Sequence, residues 1–156
     1  MEIKLKVGIV IVNKDNQVLL IKEKIKKKPI ALWNIIKGTC DHEETIFETA
    51  KRECKEEASL DVNLTNSLGV NISKEAGDIR VQFNFLARSE NMTAKIAPKE
   101  EQLARDETIE EIKWFSKEKI LKMKLEEFIS KKAFNLLQNY IAGKIFSLEI
   151  YSQVEE

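Results

Sequence analysis

The sequence predicts one α+β domain over residues 1–156, a mixed β-sheet flanked by helices. Three observations predict it. β-Branched apolar runs fill the first 36 residues, a capped amphipathic helix opens at Thr45, and Ile79 to Arg88 alternates apolar and polar residues with period two. The element order reads β-β-β-α-β-β-β-α. A chain of 156 residues, 43% of them hydrophobic, fits a single domain with a real core.

Val7 to Val12 is β-branched and apolar, Asn13-Lys14-Asp15-Asn16 carries turn chemistry, and Val18 to Ile21 returns, so the first two strands read as a hairpin. A basic stretch from Lys22 to Lys28 ends at Pro29. Ala31 to Ile36 reads as a short extended segment, and Lys37 to Glu44 as a loop without periodicity. Thr45-Ile46-Phe47-Glu48 fits a capping box, with Thr at the N-cap and Glu three residues on. That helix is expected to run to Ala58-Ser59. A strand is expected around Val62 to Ile72, a turn at Glu75 to Asp78, and a half-buried strand from Ile79 to Ala87. Ser89 to Glu107 is long and polar and reads as loop. Ile112 to Phe115 forms a last strand. Helical stretches follow at Lys117–Met123 and Leu125–Ala142, split near Lys124. The apolar segment Lys144 to Tyr151 packs or pairs, with no partner assigned.

Composition narrows the chemistry. Lys and Arg number 26 and so do Asp and Glu, so the net charge is zero and a strongly basic nucleic-acid binder is disfavoured. His42 is the one histidine, which excludes a His-rich zinc site and ties any Ser-His-Asp or Cys-His triad to that residue. Two cysteines, Cys40 and Cys54, form no CxxC pair and fit a reducing, cytoplasmic setting. No signal peptide and no membrane-spanning run is expected.

One acidic cluster stands out by spacing. On a helical wheel Phe47, Ala50, Cys54 and Ala58 share the core stripe, and Glu48, Lys51 and Lys55 point to solvent. Glu53, Glu56 and Glu57 form a third sector beside the stripe. Three carboxylates at i, i+3 and i+4 repel one another, by about 0.2–0.5 kcal/mol per pair on an isolated helix. A hard divalent cation with oxygen ligands would neutralise them. Glu is abundant here, 21 residues against 5 Asp, and three glutamates on one helix face are also common as plain solvated surface.

The surroundings decide between these readings. Gly38, Glu44, Arg52, Glu53, Glu56 and Glu57, with Cys54 and Leu60 at apolar positions, resemble the signature of the Nudix hydrolases, G-x5-E-x7-R-E-U-x-E-E-x-G-U, over residues 38 to 60. Ser59 departs from the family's second glycine, which puts the helix exit turn in question. Ile36-Lys37-Gly38 departs from the Pro-Gly-Gly of many members and is similar to members acting on dinucleoside polyphosphates or inositol pyrophosphates.

The resemblance implies a Nudix-type α/β/α sandwich with a mixed sheet, a loop-helix-loop signature and a C-terminal helix. It implies hydrolysis of a nucleoside diphosphate linked to a group X, by attack of metal-activated water on phosphorus. The implied metal ligands are Glu53, Glu56, Glu57 and the Gly38 carbonyl, with Glu107 or Glu110 as further ligand or base. Glu44 and Arg52 would orient the carboxylates. Mg²⁺ is the implied cofactor, with Mn²⁺ the alternative. Phosphates need cations, and Lys22, Lys24 and Lys37 are the candidate contacts; Trp33 is a candidate to stack on a base but reads more readily as packing. A nucleoside triphosphate, cleaved to monophosphate and pyrophosphate, is the favoured nucleotide-type substrate. Dinucleoside polyphosphates, RNA 5′-ends and a non-catalytic nucleotide-binding sensor are the alternatives. The segment Lys144 to Tyr151 suggests a homodimer contact, and no membrane partner is expected.

Overall fold

A computed structural model describes residues 1–91 and 93–155; Met92, inside the segment expected to be loop, and Glu156 lie outside the described residues. The strands are β1 (Ile3–Val12), β2 (Val18–Glu23), β3 (Leu32–Asn34), β4 (Ile36–Thr39), β5 (Asn63–Glu75), β6 (Asp78–Arg88) and β7 (Ile109–Phe115). The helices are α1 (Ile46–Ala58), α2 (Lys99–Ala104), α3 (Lys117–Lys122) and α4 (Lys131–Ile141).

β1 and β2 form as the sequence predicts, but they are barely a hairpin. Their ladder holds a single pair, Val12 with Val18. Beyond it the strands part. β1 runs parallel to β6 from Ile3↔Ile79 to Val12↔Arg88 and antiparallel to β4 from Lys6↔Thr39 to Ile9↔Ile36. β2 instead takes β3 and β7 as neighbours. The cause lies in the side chains: Val7 to Val12 and Val18 to Ile21 are apolar on both faces, so both strands must be covered on two sides.

Two cores result. On one face Val7, Ile9 and Ile11 of β1 and Phe85 of β6 pack against Ala50, Cys54 and Ala58 of α1. On the other, Val10, Val12, Val18 and Leu20 meet Ile120, Phe128, Leu136, Leu137 and Tyr140 around α3 and α4. The sheet is therefore the middle layer of an α/β/α sandwich, as expected.

Several expectations need correction. The extended segment before Gly38 is two short strands, β3 and β4, and Gly38 lies in β4 rather than in a loop. The polar stretch from Ser89 contains α2. The helix expected from Leu125 is a 3-10 turn at Leu125–Glu127 followed by α4, whose N-cap is Ser130. Residues 144–151 fold back on their own chain. Phe146 and Ser67 exchange two backbone hydrogen bonds of 2.9 Å, and the Tyr151 ring stands against Phe47, Phe83 and Phe85. The segment that suggested a homodimer thus covers the edge of β5. No helix is long and apolar enough to cross a membrane among the described residues.

Candidate active site

α1 begins where the sequence places it. Thr45 Oγ1 accepts from the Glu48 N–H (3.2 Å), and Glu48 accepts in return from the Thr45 N–H (3.4 Å). This fixes the phase of the helix, so that Ala50, Cys54 and Ala58 enter the core. Glu53 and Glu57, one turn apart, are carried to the boundary with β4, each only 7% exposed. Glu56 stands half-buried beside them.

Gly38 is the point of closest approach. A Cβ at that position would lie 2.0 Å from the Glu53 carboxylate, so glycine is what lets that carboxylate stand directly against β4. At the far end, Ser59 adopts φ 57°, ψ 33°, the left-handed turn that a glycine would supply. Its N–H reaches back to the Lys55 carbonyl (3.0 Å), and its hydroxyl donates to the Lys95 carbonyl (3.1 Å). The exit turn is therefore kept despite the substitution, and the carboxylates before it are undisturbed.

Arg52 organises the group. Its Nε donates to both Glu44 oxygens (3.0 and 2.8 Å), its Nη1 to Glu53 (2.9 Å) and Glu56 (3.1 Å), and its Nη2 to the Thr39 carbonyl (3.2 Å). This hydrogen bonding holds the Glu44 carboxyl below its ordinary range. Burial pushes Glu53 up to about 7 despite Arg52. Burial, reinforced by Glu53, Glu23 and Glu107, raises Glu57 well above the carboxylate range.

Glu107 comes to this cluster from the segment before β7, and its Oε1 accepts from Arg105 Nε at 2.6 Å. Glu110 does not. The β2–β7 register runs Lys22↔Glu111 then Glu23↔Ile109, which leaves Glu110 exposed at the bulge. Of the lysines, Lys37 lines a cavity of about 750 Å³ beside the cluster, and its charge acts on Glu57. Lys24 also lines it, but its ammonium is bonded to the Ile25 and Lys28 carbonyls of its own loop. Lys22 is not among the lining residues; it sits over the Trp33 ring, 5.4 Å from the centroid. His42 is exposed and Cys54 is buried in the core.

Two participants escaped the sequence reading. Glu23, at the end of β2, faces Glu57 electrostatically and accepts from Asn34 Nδ2 at 2.9 Å. Arg105 lies 3.8 Å from Glu56 and donates to the Glu56 carbonyl at 3.2 Å. The only available signal was an arginine in a Glu-rich segment, which surface charge explains equally well.

Among the described residues, no three His, Cys, Asp or Glu side chains form a ready metal cluster. Arg52 holds two of the expected carboxylates to itself. The donors nonetheless suit a hard cation. They are oxygen-only, two of them are desolvated and mutually repelling, and Glu57 Oε2 and Glu107 Oε2 are buried without a hydrogen-bond partner.

Comparison with known proteins agrees with this geometry. The NUDIX domain model matches residues 3–137. A NUDIX hydrolase from Nitrosomonas europaea superposes with a TM-score of 0.76 at 22% identity, covering 98% of each chain. The MutT protein from Methanosarcina mazei Go1 gives 0.69 at 18% identity, covering 89% of this chain and 93% of its own. A C. elegans Ap4A hydrolase gives 0.65 at 19%, covering 89% and 96%. No curated protein matches the sequence. A domain match over most of the chain, on a fold that sets the signature glutamates against Gly38, makes this protein a member of the NUDIX family, hydrolases of nucleoside diphosphates linked to another group.

Proposed function

We propose that the chain is a divalent-cation-dependent pyrophosphohydrolase, in which water attacks phosphorus in a phosphoric anhydride held between α1 and the neighbouring cavity. The observation that carries this reading is the pair Glu53 and Glu57. Two buried carboxylates one helical turn apart, one with an orphan oxygen, are costly to keep unless a cation is their ligand.

Glu53, Glu56, Glu57 and the Gly38 carbonyl would hold the cation, with Glu107 closing the set from the side of β7. Mg²⁺ suits oxygen donors acting on phosphates, and Mn²⁺ accepts the same ligands. When bound, such a cation neutralises phosphate oxygens and lowers the pKa of its water. The remaining work belongs to the chain's own residues. Arg52 keeps Glu53 and Glu56 oriented and is itself anchored by Glu44. Glu53 or Glu107 takes the proton of the attacking water. Lys37 meets the phosphate oxygens at the cavity mouth.

Within this class, nucleoside triphosphates cleaved to monophosphate and pyrophosphate are the substrates the sequence favours. The positive charge of the cavity adds weight to longer phosphate chains, such as those of dinucleoside polyphosphates. The two free cysteines, Cys40 and Cys54, support a cytoplasmic setting.

A product screen with Mg²⁺ tests this reading. Canonical and oxidised nucleoside triphosphates, dinucleoside polyphosphates, ADP-ribose and 5′-triphosphate RNA are incubated with the protein, and products are resolved by ion exchange. Turnover of one class, abolished in Glu57→Gln and by EDTA, is the expected result. Turnover that survives both would overturn it.

A further inference from the structure

The segment that carries Glu107 to the cluster is built more firmly than a connecting loop needs. It is moored to the end of α1 at three points. The Lys95 N–H donates to the Ala58 carbonyl (2.9 Å), the Ser59 hydroxyl to the Lys95 carbonyl (3.1 Å), and Arg105 Nη2 to the Glu56 carbonyl (3.2 Å). The Ala58 and Glu56 carbonyls lie in the last turn of α1, where the helix itself supplies no donor.

α2 then ends in a tight left-handed turn. The Glu107 N–H donates to the Gln102 carbonyl (2.7 Å) and the Asp106 N–H to the Leu103 carbonyl (3.2 Å), the paired bonds of a Schellman motif. Asp106 holds the left-handed position, with φ 56°. Glycine is the usual occupant there, and aspartate is among the few other residues that tolerate it. Gln102, the buried residue of α2, ties both flanks together. Its Nε2 donates to the Ala97 carbonyl (2.9 Å), and its Oε1 accepts from the Ile109 N–H (2.8 Å). On the far side of Glu107, the Lys24 N–H donates to the Thr108 carbonyl (3.1 Å), and the Thr108 hydroxyl donates to the Lys24 carbonyl. The backbone of Glu107 is thus fixed before and after the residue.

What remains free is its side chain, and Arg105 takes that freedom away. Residues two apart do not face each other on a helix. The left-handed turn at Asp106 folds them together, so that Arg105 Nε meets Glu107 Oε1 at 2.6 Å. The other oxygen, Oε2, is buried without a hydrogen-bond partner among the described residues. Its carboxylate is close enough to act on both Glu53 and Glu57.

A pair selected for stability would be expected to use both oxygens in a two-pronged contact. Arg105 instead spends one prong on Glu107 and another on the Glu56 carbonyl. One carboxylate oxygen is held and its twin is left bare toward the signature glutamates.

From this arrangement we propose that Arg105 is a positioning residue. Aided by the left-handed turn at Asp106, it orients Glu107 so that a free oxygen is presented to the cation site of α1. The inference rests on the pyrophosphohydrolase reading for the cation it serves. The residues that do the orienting lie outside the signature.

Mn²⁺ titration of the full chain without substrate tests it, with free Mn²⁺ read by electron paramagnetic resonance. Arg105→Lys keeps the charge but cannot hold Glu107 and the Glu56 carbonyl at once. It is expected to weaken Mn²⁺ about tenfold, the effect of losing a group that orients a ligand. In a Glu107→Gln background the same substitution is expected to cost nothing further, because Arg105 acts through Glu107. Asp106→Val and Asp106→Gly remove the same charge, yet only glycine suits φ 56°. The valine variant is therefore expected to bind Mn²⁺ about tenfold more weakly than the glycine variant.

Unchanged affinity in Arg105→Lys would overturn the proposal. So would an equal loss with and without Glu107, which would reduce Arg105 to a brace for α1. Equal affinity in the two Asp106 variants would remove the turn from the device and overturn it as stated. Glu57→Gln separates the two readings. Mn²⁺ that fails to bind the unaltered protein, or binds equally well after Glu57→Gln, overturns the pyrophosphohydrolase reading and this one with it. Mn²⁺ binding lost in Glu57→Gln but indifferent to Arg105→Lys overturns the positioning role alone.

Discussion

Gly38→Ala separates the placement of the catalytic carboxylate from the stability of the fold. The added methyl would begin 2.0 Å from Glu53 Cδ and Oε1 and 2.5 Å from its Cγ, whereas ordinary contact starts near 3.4 Å. The atoms in the way are the end of a side chain and not backbone. Glu53 can therefore retreat while β4 and α1 hold their positions. The retreat needed is about 1.4 Å, enough to disturb the 2.9 Å contact with Arg52.

Overpacking of this kind costs roughly 1–3 kcal/mol, and relief through a flexible side chain places this case at about 1. In a domain of this size that lowers the Tm by about 2–4 °C. A misplacement of about 1 Å, by contrast, costs on the order of 100-fold in turnover. Steady-state kinetics on the best substrate and differential scanning calorimetry should thus part company, with kcat collapsing and Tm nearly held. Wild-type kcat in Gly38→Ala would refute the assignment of Glu53. A Tm lowered by more than about 10 °C would refute the claim that only the side chain yields.

Arg52→Lys should lower kcat by about 10–100-fold, because one ammonium cannot replace a planar fork that reaches three carboxylates and the Thr39 carbonyl. Unchanged kinetics would reduce Arg52 to a surface ion pair. The pH dependence of the metal-free protein has a definite sign. Glu53 keeps its proton up to about 7 in the fold but only to about 4.5 unfolded, so its contribution is fullest below pH ~4.5 and is lost as pH rises through 7. At ~1.4 kcal/mol per pKa unit the loss is up to ~3.5 kcal/mol, and Glu57 acts in the same direction. Glu44, held low by Arg52, acts only below this window. The Tm measured in EDTA should therefore fall between about pH 5 and pH 8, and saturating Mg²⁺ should remove most of the fall; a Tm that rises over that range contradicts the burial of these carboxylates. Ser59→Val should destabilise by about 2 kcal/mol, because a β-branched residue is strained at positive φ, while Ser59→Gly should leave the urea midpoint nearly unchanged; equal effects would mean that the left-handed turn is not needed.

Local signals were readable and distant ones were not. α1 follows its capping box from Thr45, and β6 follows the alternation from Ile79, because each is set by neighbours in sequence. The signature glutamates were legible for the same reason, being four positions apart on a helix whose phase was known. α2 was missed because only Gln102 of its six residues is buried, which leaves no apolar period to detect. The partners of β1 were missed because Val7 to Val12 is apolar on both faces, and a two-faced strand does not say which neighbour it takes. Glu23 and Arg105 gain meaning only once β2 and the segment before β7 converge on α1. Neither lies within the signature at residues 38 to 60.

The parallel pairing of β1 with β6 also sets how this chain reaches its fold. Every rung joins residues 76 positions apart, from Ile3 with Ile79 to Val12 with Arg88. β5 and β6, joined through Ala76 and Gly77 at positive φ, close locally and can form on a microsecond scale. β1 must wait, since the loop it closes contains β2, both short strands, α1 and β5, and its entropy is lost before any rung repays it. Refolding should then proceed from the β5–β6 hairpin, with docking of β1 as the slow step in the millisecond-to-second range typical of non-local sheets. Until that step is complete, neither face of β1 is covered and Gly38 has no strand to hold it against Glu53.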